Sequence, residues 1–180
     1  MKGTPINSYA PDFELPGVDD EVHHLARYLE RFRAVIVVFM SNCCPHVRSA
    51  LEGLKGLQAE LQPQEIILVG INANDATRSP EDSFDKMKAF ADSNDLNFPY
   101  IRDVNQDVAQ CFGAQTTPEA FLLDNRGILR YRGSIDHSAD SAGEPSTPGP
   151  LHVAVTQLLR GEAIDPAITS PAGTPIQWRG

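Results

Sequence analysis

The chain alternates between apolar blocks and polar stretches, and the spacing within each block predicts its structure. Ala34 to Met40 is apolar at every position and largely β-branched, the pattern of a central strand covered on both faces. Glu65 to Asn72 repeats that pattern as a second strand. Between them, Val47, Leu51, Leu54, Leu57 and Leu61 recur at helical spacing, so a helix is expected from Pro45 to Leu61. Proline suits its first turn, where a missing N–H costs nothing.

Shorter elements follow from the same reading. Leu25 to Phe32 has one apolar face and predicts a short helix. Ser79-Pro80-Glu81-Asp82 predicts a helix start, with acids near the positive dipole end, running to about Ser93. Phe98 to Ile101 predicts a short strand, and Asp103 to Phe112 a helix capped by Gly113. Ala120 to Leu123 and Ile128 to Arg132 flank Asp124-Asn125-Arg126-Gly127, an antiparallel hairpin. Residues 136–150 are rich in Ser, Gly, Pro and Asp and predict a mobile loop. Leu151 to Arg160 predicts a last helix. Residues 162–180 form a tail in which Trp178 suggests docking onto the body.

This order predicts an α/β fold: a mixed central sheet flanked by helices, with an extended N-terminal segment to about Gly17 and a C-terminal tail. A length of 180 residues fits one domain over 1–180. Catalytic groups in such sheets sit at the C-terminal ends of parallel strands. Both Ser41 to Pro45 and the loop after Asn72 fall there.

Composition narrows the setting. The formal net charge of -9 repels nucleic acid and anionic lipid, so neither is an expected partner. The longest apolar run is too short to span a bilayer, and no apolar signal segment is visible at the start, so the expected location is cytoplasmic. The three cysteines, Cys43, Cys44 and Cys111, are too few and odd in number for a disulfide framework.

The chemistry concentrates in Ser41-Asn42-Cys43-Cys44-Pro45. A thiolate at Cys44 would meet the free N–H groups at the start of the following helix, which lowers its pKa and activates it at neutral pH. Thr117-Pro118, ahead of the hairpin strand, can hold a cis bond and present the backbone of Thr117 to a substrate. Cys111 lies beside Phe112 and is expected to pack into the core. His46, His23, His24 and His152 are expected at the surface. Cys43, Cys44 and His46 lack a fourth metal ligand, with His137 only a remote candidate, so no metal or other cofactor is expected.

The strand, the Cys-Pro turn and the later Thr-Pro resemble the thioredoxin fold. Ala10 to Pro16 resembles the opening segment of the redoxins, the alkyl hydroperoxide reductase/thiol-specific antioxidant superfamily. Ile71 to Asp75, Ser79 to Phe84, Phe98 to Tyr100, Tyr131 to Gly133 and Ile176 to Trp178 extend the likeness to a bacterial redoxin-like group. In that group the turn reads Cys-Asn-His-Cys-Pro. Here Ser41 stands at the first cysteine and Cys43 at the histidine. Two further cysteine positions of the group are Thr116 and Thr174.

The resemblance implies a thiol-dependent oxidoreductase and antioxidant, acting on protein thiols or disulfides or on a hydroperoxide, with a thioredoxin-type electron donor. The implied site is Cys44 as principal thiol, Cys43 assisting, and Ser41 bonding thiolate or substrate. Thr117, Pro118, Pro45 and Asn72 form the substrate side. A dithiol cycle through residues 41 and 44 is excluded, because serine forms no disulfide. Ser41-x-x-Cys44 also satisfies a peroxiredoxin pattern, although that family's proline is replaced by Val37 and its arginine falls near Pro118. The alternatives are a peroxidase, a vicinal Cys43–Cys44 disulfide, and a redox-inactive binding module.

Overall fold

The computed structural model describes residues 3–136 and 148–180. Glu14–Pro16 (β1) and Val22–His24 (β2) form a small antiparallel ribbon that leads into the helix Leu25–Arg31 (α1). Ala34–Phe39 (β3) is buried at every residue. It is followed by Pro45–Leu61 (α2) and by Ile66–Asn72 (β4), which runs parallel to β3. Phe84–Ser93 (α3), Tyr100–Arg102 (β5) and Asp107–Phe112 (α4) come next. Thr116–Thr117 (β6) is a two-residue strand ahead of the hairpin Glu119–Asp124 (β7) and Leu129–Gly133 (β8). Pro150–Leu159 (α5) and Thr174–Pro175 (β9) complete the chain.

The main sheet has the order β5-β4-β3-β7-β8, parallel on one side of β3 and antiparallel on the other. The period of two along β3 divides the core. Ala34, Ile36, Val38 and Met40 pack with residues of α2 and α5, while Val35, Val37 and Phe39 pack with Leu25 of α1 and Phe112 of α4. The sheet is therefore mixed and covered on both faces, as the apolar runs predicted.

Several boundaries differ from the sequence reading. Pro80–Asp82 is a 3-10 turn, and α3 begins only after Ser83, whose hydroxyl accepts the N–H of Lys86. α4 begins at Asp107, because Asp103 instead accepts the Ala109 N–H from the preceding turn. Cys111 is exposed, correcting its expected place in the core: Val108, Ala109 and Phe112 fill the inward face of α4. His23 is partly buried, with its ring bonded to Tyr28 and Asp19. His152 bonds Glu60 near the surface at 2.9 Å. Of the expected loop 136–150, residues 137–147, including His137, lie outside the described residues.

The tail docks. It follows the outer edge of β8, where the Arg132 N–H donates to the Ala167 carbonyl and the Arg132 carbonyl accepts the Thr169 N–H, and Thr169 Oγ1 meets the Tyr131 hydroxyl at 2.6 Å. It then pairs β9 with β6, antiparallel. Ile176 and Trp178 pack against the α1 and α4 side of the core.

Candidate functional site

β3 ends beneath the turn, so its last carbonyls deliver Ser41 to Cys44 to the C-terminal edge of the sheet. Cys44 is the N-cap of α2 and Pro45 opens its first turn, as expected. The Cys44 side chain is only 4% exposed. Its Sγ lies 3.2 Å from the Thr117 carbonyl and 3.2 Å from the Thr174 hydroxyl. As a thiol it donates to the carbonyl. As a thiolate it accepts from the Thr174 hydroxyl, which is free to rotate, and from the helix N–H groups of His46 and Val47. Burial alone would push the Cys44 pKa up. The hydrogen bonds from the Thr174 hydroxyl, the α2 N-terminal N–H groups and the Thr117 side-chain hydroxyl outweigh that and hold it below the ordinary thiol value. The Thr117-Pro118 bond is cis.

Cys43 is exposed, and its sulfur faces the other way. It lies 3.5 Å from Asp82 Oδ2, 3.6 Å from Ser41 Oγ and 3.7 Å from Ser79 Oγ. Both cysteines are free thiols. They border one cavity of about 200 Å³, together with Ser41, Pro45, Asn74, Thr117 and Thr174.

Beneath the turn lies a group the sequence reading missed. Asp82 is wholly buried. Its carboxylate accepts the Asn42 N–H at 2.7 Å, the Ser79 hydroxyl at 2.7 Å, the amides of Asn72 and Asn74 at 2.9 Å each, and the Ser41 hydroxyl at 3.0 Å. Burial raises its pKa, but these donors more than reverse that, and the acid stays ionised below its ordinary range. Tyr100 extends the network by donating to Asn42 Oδ1 at 2.7 Å. Arg102 ties the same loops together by donating to the backbone carbonyls of Asp82 and Asn74.

Three expectations change. The single Ser41 proton is directed at Asp82 and not at Cys44 or a substrate. Asn72 is fully buried behind the turn, clamping Asp82 and bonding the Tyr100 hydroxyl, and does not border the cavity. Pro118 is likewise buried and does not border the cavity. Pro45 and Thr117 border it as expected. Cys111 sits on α4, on the face of the sheet opposite α2, and His46 faces solvent. Among the described residues, no group of three or more His, Cys, Asp or Glu is placed to hold a metal ion.

Thr174 was also unassigned as a site residue. The signal for it was present: it stands where the redoxin-like group carries its C-terminal cysteine. Asp82 had no such signal, because an acid after Ser-Pro-Glu reads as a helix-start residue.

A family model, the AhpC/TSA family, matches residues 6–132. The chain belongs to the AhpC/TSA family. Among its curated relatives is the thioredoxin-like protein YneN of Bacillus subtilis, 27% identical over 131 residues and 71% of each chain. The thiol-disulfide oxidoreductase ResA of Geobacillus thermodenitrificans is 26% identical over 125 residues, covering 69% of this chain and 67% of ResA. A solved structure of a hypothetical protein from Sinorhizobium meliloti superposes with TM-score 0.88 at 32% identity, covering 100% of this AhpC/TSA chain and 96% of the other. An exposed lipoprotein thioredoxin of Streptococcus pneumoniae shares the fold, with TM-score 0.58 at 21% identity over 68% of this chain and 87% of its own. The fold is thus thioredoxin-like. No helix among the described residues is long and apolar enough to cross a membrane.

Proposed function

We propose that this AhpC/TSA protein is a thiol-disulfide oxidoreductase in which Cys44 is the nucleophile. The observation that carries this reading is the Cys44 sulfur, held at the N-terminus of α2 between the Thr174 hydroxyl and the Thr117 carbonyl, with its pKa lowered. The names of YneN and ResA fit the same chemistry.

The Cys44 thiolate attacks one sulfur of a disulfide. A Cys44–S–S–R bond forms, the substrate S–S bond breaks, and the departing thiolate takes up a proton. A second thiol then attacks the Cys44 sulfur of the mixed disulfide and releases the substrate as its second thiol. A further donor thiol attacks the donor sulfur now bonded to Cys44, which frees Cys44 and carries the disulfide away on the donor. Ser41 cannot supply that thiol, and Cys111 lies across the sheet. Cys43 borders the same cavity but is held toward Asp82. The resolving thiol is therefore external, and a low-molecular-weight thiol donor fits the cavity of about 200 Å³, with Cys43 in an auxiliary role. Asn72 acts only by fixing Asp82 beneath the turn. Three free cysteines suit a reducing compartment, so the cytoplasm is the proposed setting.

The peroxidase reading is weaker, because the one Ser41 proton that would bond a peroxide is engaged by Asp82.

The test is single-turnover reaction of the reduced protein with bis(2-hydroxyethyl) disulfide, followed by mass spectrometry. The mixed disulfide should form on Cys44. Cys44→Ser should abolish the exchange, and Cys43→Ser should retain most of it. An inert Cys44 in the folded protein would leave a redox-inactive binding module.

A further inference from the structure

An extended polypeptide that brings a disulfide to Cys44 needs a backbone edge to lie along, and a sheet edge supplies one by pairing as an added strand. The edge beside Cys44 is β6, since the Thr117 carbonyl lies 3.2 Å from its sulfur. In this chain that edge is already taken. β9 pairs with it antiparallel, Thr174 opposite Thr117 and Pro175 opposite Thr116.

The tail is fastened on both sides of the cavity. On the β6 side, the Ile176 N–H donates to the Gln115 carbonyl at 2.9 Å, and the Ile176 side chain is buried. On the β4 side, the Gln177 N–H donates to Asn74 Oδ1 at 2.9 Å, and the Asp75 N–H donates to the Gln177 carbonyl at 2.9 Å. The segment lies so close that a Cβ on Gly173 would stand 2.3 Å from the Thr117 carbonyl oxygen. What remains open is the cavity of about 200 Å³, enough for a small molecule and not for a strand. The AhpC/TSA match ends at residue 132, so this segment is an addition to the matched core.

We propose that residues 173–178 act as a built-in strand that fills the place of a polypeptide, so that Cys44 exchanges with small disulfides and excludes protein disulfides. The inference rests on Cys44 being the exchanging thiol, and its test separates the two.

The test compares the full chain with Gly173→Val, whose side chain must lift the segment off Thr117. Accessibility is read without redox chemistry, by labelling with N-ethylmaleimide and with a polyethylene-glycol maleimide. Tandem mass spectrometry assigns the site, and exposed Cys111 serves as the internal reference. In the unaltered chain the large reagent should discriminate against Cys44, relative to Cys111, by at least about tenfold more than the small one. In Gly173→Val that discrimination should largely vanish. The ratio of exchange with insulin to exchange with bis(2-hydroxyethyl) disulfide should rise by about tenfold or more in the variant.

Ile176→Ala loosens the same segment from its buried anchor and should move both readings in the same direction, which covers the case in which Gly173→Val fails to fold. Equal access of both reagents in the unaltered chain, or exchange with insulin as fast as with the small disulfide, would overturn the proposal. The expected labelling with no exchange on either disulfide would instead sink the oxidoreductase reading and leave the strand standing.

Discussion

Thr174 contributes a hydroxyl to Cys44 from a strand whose partner lies 57 residues earlier in the chain. Thr174→Val keeps the β-branched shape and removes only the donor. A hydrogen bond to a thiolate favours the charged form, so its loss raises the Cys44 pKa toward the ordinary thiol value. Below that pKa the thiolate fraction falls as the pKa climbs. Iodoacetamide should therefore alkylate Cys44 about fivefold more slowly at neutral pH, consistent with about 1 kcal/mol for one such bond. The alkylation profile should shift to higher pH while its alkaline plateau stays within about twofold. An unchanged profile would leave the activation to the helix N-terminus and Thr117.

At the scale of elements, α2 does more than present Cys44. β5 pairs only with Gly70 to Asn72, which leaves the first half of β4 without a neighbour on that side. Gln58 of α2 fills the gap. Its side chain is buried, accepts the Leu68 N–H at 2.7 Å and donates to the Ile66 carbonyl at 3.4 Å. Gln58→Leu would strand a buried N–H and a buried C=O, so unfolding in urea should show a loss of about 2 to 4 kcal/mol. A loss below about 0.5 kcal/mol would mean that water or a shift of β4 replaces the side chain.

Local pattern carried the main elements. The apolar runs of β3 and β4, the leucine stripe of α2 and the Asp124 to Gly127 turn each mark their own structure. β6 and β9 were not legible, because two-residue strands have no period and their pairing is long-range. Cys111 was misplaced because its neighbour Phe112, and not Cys111 itself, points inward. That Cys43, Cys44, Pro45 and Thr117 come together around one cavity was legible from the turn chemistry. Ser41 and Asn72 were found, but their partner was not, since a buried acid leaves the same local signature as one at a helix start.

For the whole molecule, 24 acidic residues against 15 basic ones mean that acidification first relieves self-repulsion. Two buried aspartates add opposite terms to that background. Burial, only partly offset by the N–H groups of Ala109 and Val108, raises the Asp103 pKa. The folded state then holds that proton more tightly than the unfolded chain, so this group adds stability as pH falls from neutral toward 3.8. Asp82 has the opposite sign. Its pKa is lowered, so its stabilisation is fully present above 3.8 and is lost as pH falls through its folded value. Asp82→Asn places an amide against five donors and removes the charge they surround, at a cost of about 3 kcal/mol at neutral pH. Urea unfolding of the unaltered chain and the variant, from neutral pH to about pH 2.5, should show a difference that is flat above 3.8 and narrows below it. In Asp103→Asn, which keeps an acceptor for the Ala109 N–H, the gain on mild acidification should shrink while the fall at lower pH persists. A gap between the unaltered chain and Asp82→Asn that instead widens as pH falls from neutral to 3.8 and is flat below it would show that the acid beneath the cysteine turn is held protonated, and the turn would then rest on a neutral hydrogen-bond acceptor and not on a buried charge.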